Sequence, residues 1–165
     1  MPTDNQKASR KQEKQVAADN AGRINPGSGN GWRFKNDVRS ATVSFECKTT
    51  TQDRYSLKLS ELQTAHSHAL ADGKDMAFVI DIRDKRYYTV EHNDWLAMTE
   101  EWPANDFAYY DTMTTRASAP LKRIELDVQE TQALATKQDP VWRNEIQGRR
   151  YVTVRDYTWH MLRGD

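Results

Sequence analysis

Residues 38–48 alternate in polarity, and that alternation limits what can surround them. Val38, Ser40, Thr42, Ser44, Glu46 and Lys48 fall on one face of an extended strand, and Ala41, Val43, Phe45 and Cys47 on the other, because successive side chains of a strand point to opposite sides. The second set is compact and apolar and needs a core beneath it. The first is polar and ends in Glu46 and Lys48, which project side by side.

The flanking segments supply that core. Residues 7–21 hold good helix formers without proline, and Gly22 stops them. Residues 25–31 (Asn-Pro-Gly-Ser-Gly-Asn-Gly) cannot form regular structure. Residues 56–72 read as a helix whose buried side is Leu57, Leu59, Leu62, Ala65, Ala69 and Leu70, closed by Gly73. Residues 76–82 (Met-Ala-Phe-Val-Ile-Asp-Ile) are a buried strand, with residues 86–90 as a hairpin partner after a turn at Asp84 and Lys85. Asn93 or Asp94 then caps a short helix through Trp95 and Met98. These elements predict an α/β fold: a mixed central sheet of about four or five strands flanked by helices. Residues 1–102 form the core and residues 103–165 a C-terminal α+β extension.

The extension echoes the core. Asp75, Ile82, Arg86, Tyr87, Thr89, Val90 and Trp95 align without gaps on Asp139, Ile146, Arg150, Tyr151, Thr153, Val154 and Trp159. Upstream, Arg54, Leu57, Glu61 and Gln63 resemble Arg123, Leu126, Glu130 and Gln132, five residues out of step. The extension therefore reads either as a degenerate second copy of a helix–hairpin–helix unit or as an ordinary added hairpin. The upstream register sets Thr115 and Ala117 opposite Glu46 and Lys48, so such a copy lacks the acidic-x-lysine pair.

Composition excludes several classes. No apolar run approaches the ~20 residues of a membrane span, and the polar first residues hold no secretory h-region. A single cysteine rules out an internal disulfide framework and points to a reducing cytoplasm. Lys+Arg and Asp+Glu both total 24. The balance is uneven, however: residues 1–58 carry 11 basic and 6 acidic side chains, and the rest 13 and 18. A basic N-terminal third can be the footprint of a polyanion-binding face, or only the chance segregation of charge in a chain that is 29% charged.

Asp37, Glu46 and Lys48 carry the chemistry. If a tight turn at residues 40–42 makes a hairpin, Asp37 sits beside Glu46 across the strands. Two converging carboxylates repel unless a cation lies between them, and Mg²⁺ with oxygen ligands answers that need. Such an ion binds a phosphate oxygen and acidifies a water. Lys48, one step along the same face, orients that water or neutralises charge developing on phosphorus. An E-x-K on a strand is also commonly no more than a solvated face.

Asp37…Glu46-Cys47-Lys48, with a helix before and a helix after, resembles the PD-(D/E)xK nuclease superfamily. Glu13, Gly22-Arg23, Pro26 to Gly29, Asn36-Asp37 and Tyr55 to Ser60 extend the likeness to the Holliday-junction-resolvase-like endonucleases of archaea and, more closely, of bacteriophages. It covers roughly residues 8–98. The resemblance implies a restriction-endonuclease-like core and a metal-dependent DNA endonuclease cutting branched DNA as a homodimer. It implies that Asp37, Glu46 and the carbonyl of Cys47 ligate Mg²⁺, with Mn²⁺ able to substitute, and that Lys48 is catalytic. Glu13 completes the metal site from across the fold, and Ser28 lies near the scissile phosphate. Asn36 replaces the proline of the motif, and the extension departs from the family altogether. On this reading Arg10, Lys11, Lys14, Arg23, Arg33, Lys35, Arg39, Arg54 and Lys58 are candidates for DNA backbone contacts, each otherwise a solvated charge.

Other residues suggest less. Cys47 faces the apolar side of its strand, His66 and His68 point to different faces of a helix, and His92 and His160 are isolated. The glycine loop lacks the Gly-Lys-Ser/Thr ending of a nucleotide loop, so no nucleotide cofactor is expected. No membrane is expected as a partner. The location is cytoplasmic, in the host cell if the chain is phage-encoded. A nicking, repair or restriction-type nuclease, or a non-catalytic DNA-binding or assembly protein on this fold, remain open alternatives.

Overall fold

The computed structural model describes residues 1–26 and 35–164. Helix α1 (Asp4–Asp19) starts earlier than its composition predicts, because Thr3 and Gln6 form a capping box in which each side chain accepts the other's backbone N–H. There follow β1 (Arg23–Ile24), β2 (Val38–Arg39), β3 (Val43–Thr50), β4 (Arg54–Lys58), α2 (Leu59–Ala71), β5 (Asp75–Ile82), β6 (Lys85–Glu91) and α3 (His92–Met98). After a 3₁₀ turn come β7 (Phe107–Thr114), β8 (Ser118–Lys122), α4 (Arg123–Ala135), β9 (Asp139–Ile146), β10 (Arg149–Arg155) and α5 (Asp156–Arg163).

Among the described residues the fold is mixed α/β, built on one eight-stranded sheet in the order β1-β2-β3-β5-β6-β10-β9-β7. Strands β3 and β5 are parallel, as are β7 and β9; the other neighbours are antiparallel. The sheet is thus larger than four or five strands, because β10, β9 and β7 from the expected extension continue it directly from β6.

A second, two-stranded sheet pairs β4 with β8. Residues 56–58 are therefore strand rather than the first turn of α2. Leu57 is still buried, but from a strand, and Leu70 is 65% exposed.

One shift relates the two halves. The starts of corresponding elements (43 and 107, 54 and 118, 59 and 123, 75 and 139, 85 and 149, 92 and 156) are each 64 residues apart. The five-residue slip expected upstream is absent. The counterparts of Glu46 and Lys48 are Tyr110 and Thr112, not Thr115 and Ala117.

Two apolar layers hold the sheet. Val16 and Ala17 of α1, Trp95 of α3 and Trp159 of α5 pack with Val43, Phe45, Cys47, Val79 and Tyr88 on one face. Leu59, Leu62, Ala65 and Ala69 of α2, Leu126 of α4, and β4–β8 cover Phe78, Ile80, Tyr87 and Trp142 on the other. Among the described residues, no helix is long and apolar enough to cross a membrane.

Candidate functional site

The site begins with the β2–β3 hairpin. Ser40 closes its turn: its N–H donates to the Val43 carbonyl at 2.8 Å, and its hydroxyl accepts the Val43 N–H at 3.1 Å. Val38 then pairs with Phe45 and Arg39 with Ser44. Continuing that register by one residue sets Asp37 opposite Glu46. Val43, Phe45 and Cys47 point into the α1 layer, so Glu46 and Lys48 point to the side of α2.

Asp37 is pinned there. Its Oδ2 accepts the backbone N–H of Cys47 at 2.9 Å. The neighbouring Asn36, 1% exposed, ties the segment down: its Nδ2 donates to Ser44 Oγ at 2.9 Å and to the Ala65 carbonyl at 3.0 Å. Its Oδ1 faces His68 Nδ1 at 3.3 Å, and its carbonyl accepts Asn25 Nδ2 at 2.7 Å.

A cleft of about 340 Å³ opens over the hairpin, lined by Lys35, Asp37, Glu46 and Lys48 and by Glu61, Thr64 and His68 from α2. Lys48 Nζ lies 3.3 Å from Glu46 Oε1. Burial, reinforced by the Asp37 charge and partly offset by Lys48, pushes the Glu46 carboxyl up to about 7. Burial, and then Asp37, also raise Glu13, against the pull of Arg10. Lys48 is drawn down by burial, but Glu46, Glu61 and Asp37 outweigh this and hold it above its ordinary value, so it stays an ammonium. Burial and the carboxylates of Asp37, Glu46 and Glu13 push the Cys47 thiol well up, which removes it as a nucleophile near neutrality. Tyr55 donates its hydroxyl to Glu61 Oε2 at 2.7 Å, and burial and that bond keep it protonated.

Glu13 and Glu46 thus each strain electrostatically against Asp37. Among the described residues, no three His, Cys, Asp or Glu side chains are grouped so as to hold one metal ion. Asp37 and Glu46 remain as a pair. The Cys47 N–H turns toward Asp37, and in a strand the carbonyl of the same residue points the same way. Two carboxylates and one backbone carbonyl fit a hard cation that keeps several waters. Glu13, on α1 at the opposite face of the sheet, feels the charge of Asp37.

The basic candidates divide. Lys35 lines the cleft. Arg23 and Arg39 face each other across β1–β2 and line a groove with Lys74. Arg10 acts on Glu13, and Lys14 is exposed on α1. Lys11 lines a separate groove with Asp19, Asp81 and Arg86. Arg54 and Lys58 lie exposed on β4, Arg54 opposite Lys122. Ser28 and Arg33 lie outside the described residues.

Sequence reasoning missed Glu61, Thr64, His68 and Lys74. Ser60, Thr64 and His68 recur every four residues, one stripe of a helix, and that stripe lines the cleft.

In the second half the corresponding space is filled. Tyr110 donates its hydroxyl to the Gln129 carbonyl at 3.0 Å, and Trp142 Nε1 donates to Gln129 Oε1 at 2.8 Å.

Set against models of known protein families, curated proteins and solved structures, the chain matches none of them.

Proposed function

We propose that this protein is a metal-dependent endonuclease that hydrolyses DNA phosphodiester bonds, on a PD-(D/E)xK-type, restriction-endonuclease-like core. The observation that carries this reading is the convergence of Asp37 and Glu46 across the β2–β3 hairpin with Lys48 beside them in one cleft. Support also comes from the framework around them: a leading helix, antiparallel strands β1 to β3, helix α2, and β5 returning parallel to β3.

Asp37, Glu46 and the Cys47 carbonyl would hold Mg²⁺, which when bound polarises a phosphate oxygen and acidifies a water. Hydrolysis joins a water oxygen to phosphorus and breaks the bond to one sugar oxygen, with negative charge building on the phosphoryl oxygens. Lys48, kept charged by Glu46, faces that charge from the cleft wall. Asp37 stays aimed because the Cys47 N–H and the Asn36 bonds fix the backbone before substrate arrives.

Branched DNA, four-way junctions above all, is the proposed substrate. A junction has approximate two-fold symmetry and needs two cuts. The chain's internal repeat carries one such cleft and one filled counterpart, so two cuts call for two chains, a homodimer.

The test is cleavage of a labelled immobile junction beside linear duplex, in Mg²⁺ and then in EDTA. Wild type should make paired symmetric nicks that EDTA abolishes. Asp37→Asn should make none, and Lys48→Ala should be at least about 10²-fold slower. Equal cutting of both substrates would keep the chemistry and discard the junction. No cutting in Mg²⁺ or Mn²⁺ would leave a DNA-binding or assembly protein.

A further inference from the structure

We propose that the outer edge of β7 is the surface through which two copies of this chain pair, β7 lying antiparallel to β7 of the second copy. This gives the homodimer named above an interface, but it rests on the fold and not on the nuclease reading.

The two halves treat equivalent strands differently. Strand β3 is covered on three sides: β2 pairs antiparallel with its outer edge, α1 packs on one face, and Asn36, just before β2, is tied to Ala65 of α2. Strand β7, its counterpart 64 residues on, ends the sheet. Among the described residues no strand or helix takes the places of β2 and α1 there. The sheet's other end is the two-residue β1, whereas β7 runs for eight residues without lysine, proline or glycine. An edge that long and that plain is a template for another strand.

Apolar side chains flank it on both faces. Ser60 and Thr64, which line the cleft over β3, correspond to Ile124 and Val128 of α4, and these are 74% and 53% exposed. On the opposite face Met113 is 78% exposed, with Tyr109 beside it. The one carboxylate of the strand, Asp111, is neutralised: Arg143 Nη2 donates to its Oδ2 at 2.9 Å.

The backbone sets the register. The Thr114 carbonyl accepts the Gln147 N–H on the β9 side. Successive residues of a strand turn their N–H and C=O to alternate edges, so Phe107, Tyr109, Asp111 and Met113 turn outward, as the Cys47 N–H does toward Asp37 in the first half. The Phe107 carbonyl is met by Gln138 Nε2 at 3.4 Å. A two-fold axis through the sheet sets outward residues opposite one another. Centred on Tyr110, it pairs Tyr109 with Asp111 and Phe107 with Met113. Centred on Asp111, it overlaps as much of the strand but opposes two like charges, which is destabilising. Tyr110 is therefore the centre.

The size is sufficient. Eight residues span about 27 Å, and a layer of side chains on each face makes the edge about 20 Å deep. Two copies then bury on the order of 1,000 Å², which is what a specific interface needs.

The test is the mass of the full chain in solution. Sedimentation equilibrium should find twice the 19.1 kDa of one chain. Met113→Lys and Ile124→Lys should each return it to a single chain, while Leu70→Lys, similarly exposed but on α2, should not. Met113→Pro should also give single chains, since in an edge strand it removes only an outward N–H; the lysine variants carry the test if it fails to fold. Single chains at every concentration of wild type would leave the edge to a strand of another protein and overturn the second copy as its occupant. A dimer indifferent to the lysine substitutions at Met113 and Ile124 would place the interface elsewhere and overturn it too. Cross-linking reads the register. Ala108→Cys mixed with Thr112→Cys should form an inter-chain disulfide on oxidation, because a Tyr110 centre sets these residues opposite each other. Neither variant alone should, its own Cα atoms lying beyond the roughly 7 Å limit of a disulfide, and the native Cys47 is buried. The converse pattern would overturn the register. Cleavage enters neither measurement, so failure here leaves the nuclease reading to its own test.

Discussion

Thr89 and Thr153, equivalent residues of the two halves, meet with their hydroxyls 2.7 Å apart at the seam where β6 pairs with β10. Both are fully buried. The pair marks the internal two-fold of the sheet, yet its surroundings are unequal: Asn144 Nδ2 also donates to Thr153 Oγ1, at 3.2 Å. The same asymmetry runs through the molecule, with a polar cleft over β3 and a filled counterpart over β7.

A prediction follows from that inequality. Thr89→Val leaves Thr153 with Asn144 and should cost about 1 kcal/mol. Thr153→Val strands both Thr89 and the buried Asn144, and should cost about 2–3 kcal/mol. Adding Thr89→Val to Thr153→Val should cost little more, since the stranded hydroxyl goes with it. Chemical denaturation of the three variants measures this; additive losses would mean that the hydroxyls do not interact.

The metal pair predicts a thermal response. An ion at ten times its dissociation constant stabilises by about 1.4 kcal/mol, or roughly 3–6 °C for a chain of this size. Wild type should gain that in Mg²⁺, and Asp37→Asn and Glu46→Gln should not. A shift undiminished in both variants would place the ion elsewhere.

The hairpin was legible because its alternation is strict: Val43, Phe45 and Cys47 can be buried together only if Glu46 and Lys48 share the other face, and a turn at Ser40 then brings Asp37 to Glu46. Strands β4 and β8 were not. Arg54–Lys58 and Ser118–Lys122 run straight into helices with no turn residue between, so Leu57 fits the helical spacing of Leu59 and Leu62 equally well. Aligning Arg54 and Leu57, which belong to β4, with Arg123 and Leu126, which belong to α4, produced the five-residue slip. Glu61, Thr64 and His68 looked like a solvated helix face, because what they face is made by a hairpin distant in sequence. Lys74 gave no local signal, since its partners are the backbone carbonyls of a turn.

Asp94, on α3, contributes to the pH dependence of stability alongside the cleft carboxyls. Burial, then the charges of Asp75 and Glu91, push its carboxyl up to about 6 from an ordinary 3.8, with His66 opposing. The folded state therefore holds the proton more tightly than the unfolded chain. The contribution of Asp94 to stability is full below about 4 and is lost as pH rises through 6. Asp94→Asn should be more stable than wild type at pH 7.5 by about 1–2 kcal/mol, after discounting for solvent screening. That advantage should shrink toward zero near pH 4. Denaturation midpoints at the two pH values check this, and an advantage independent of pH would exclude titration of Asp94 as its source.

Gly22 sets how closely the first strand approaches the second. A methyl group there would meet the Arg39 carbonyl oxygen at 2.7 Å, its carbon at 3.2 Å and Val38 Cγ1 at 3.3 Å. The first two are backbone and cannot rotate away, so β1 must move. Overpacking of this kind costs about 1–3 kcal/mol, and reduced freedom of the unfolded chain returns under about 1 kcal/mol of that. Gly22→Ala should therefore lower stability by about 1–2 kcal/mol. It should also loosen the bond from the Asn25 N–H to the Asp37 carbonyl, 2.8 Å in the native fold. Hydrogen exchange at Asn25 should accelerate more than exchange at the β6–β10 seam. Uniform acceleration would show only global destabilisation, and wild-type stability would show that β1 has room to spare.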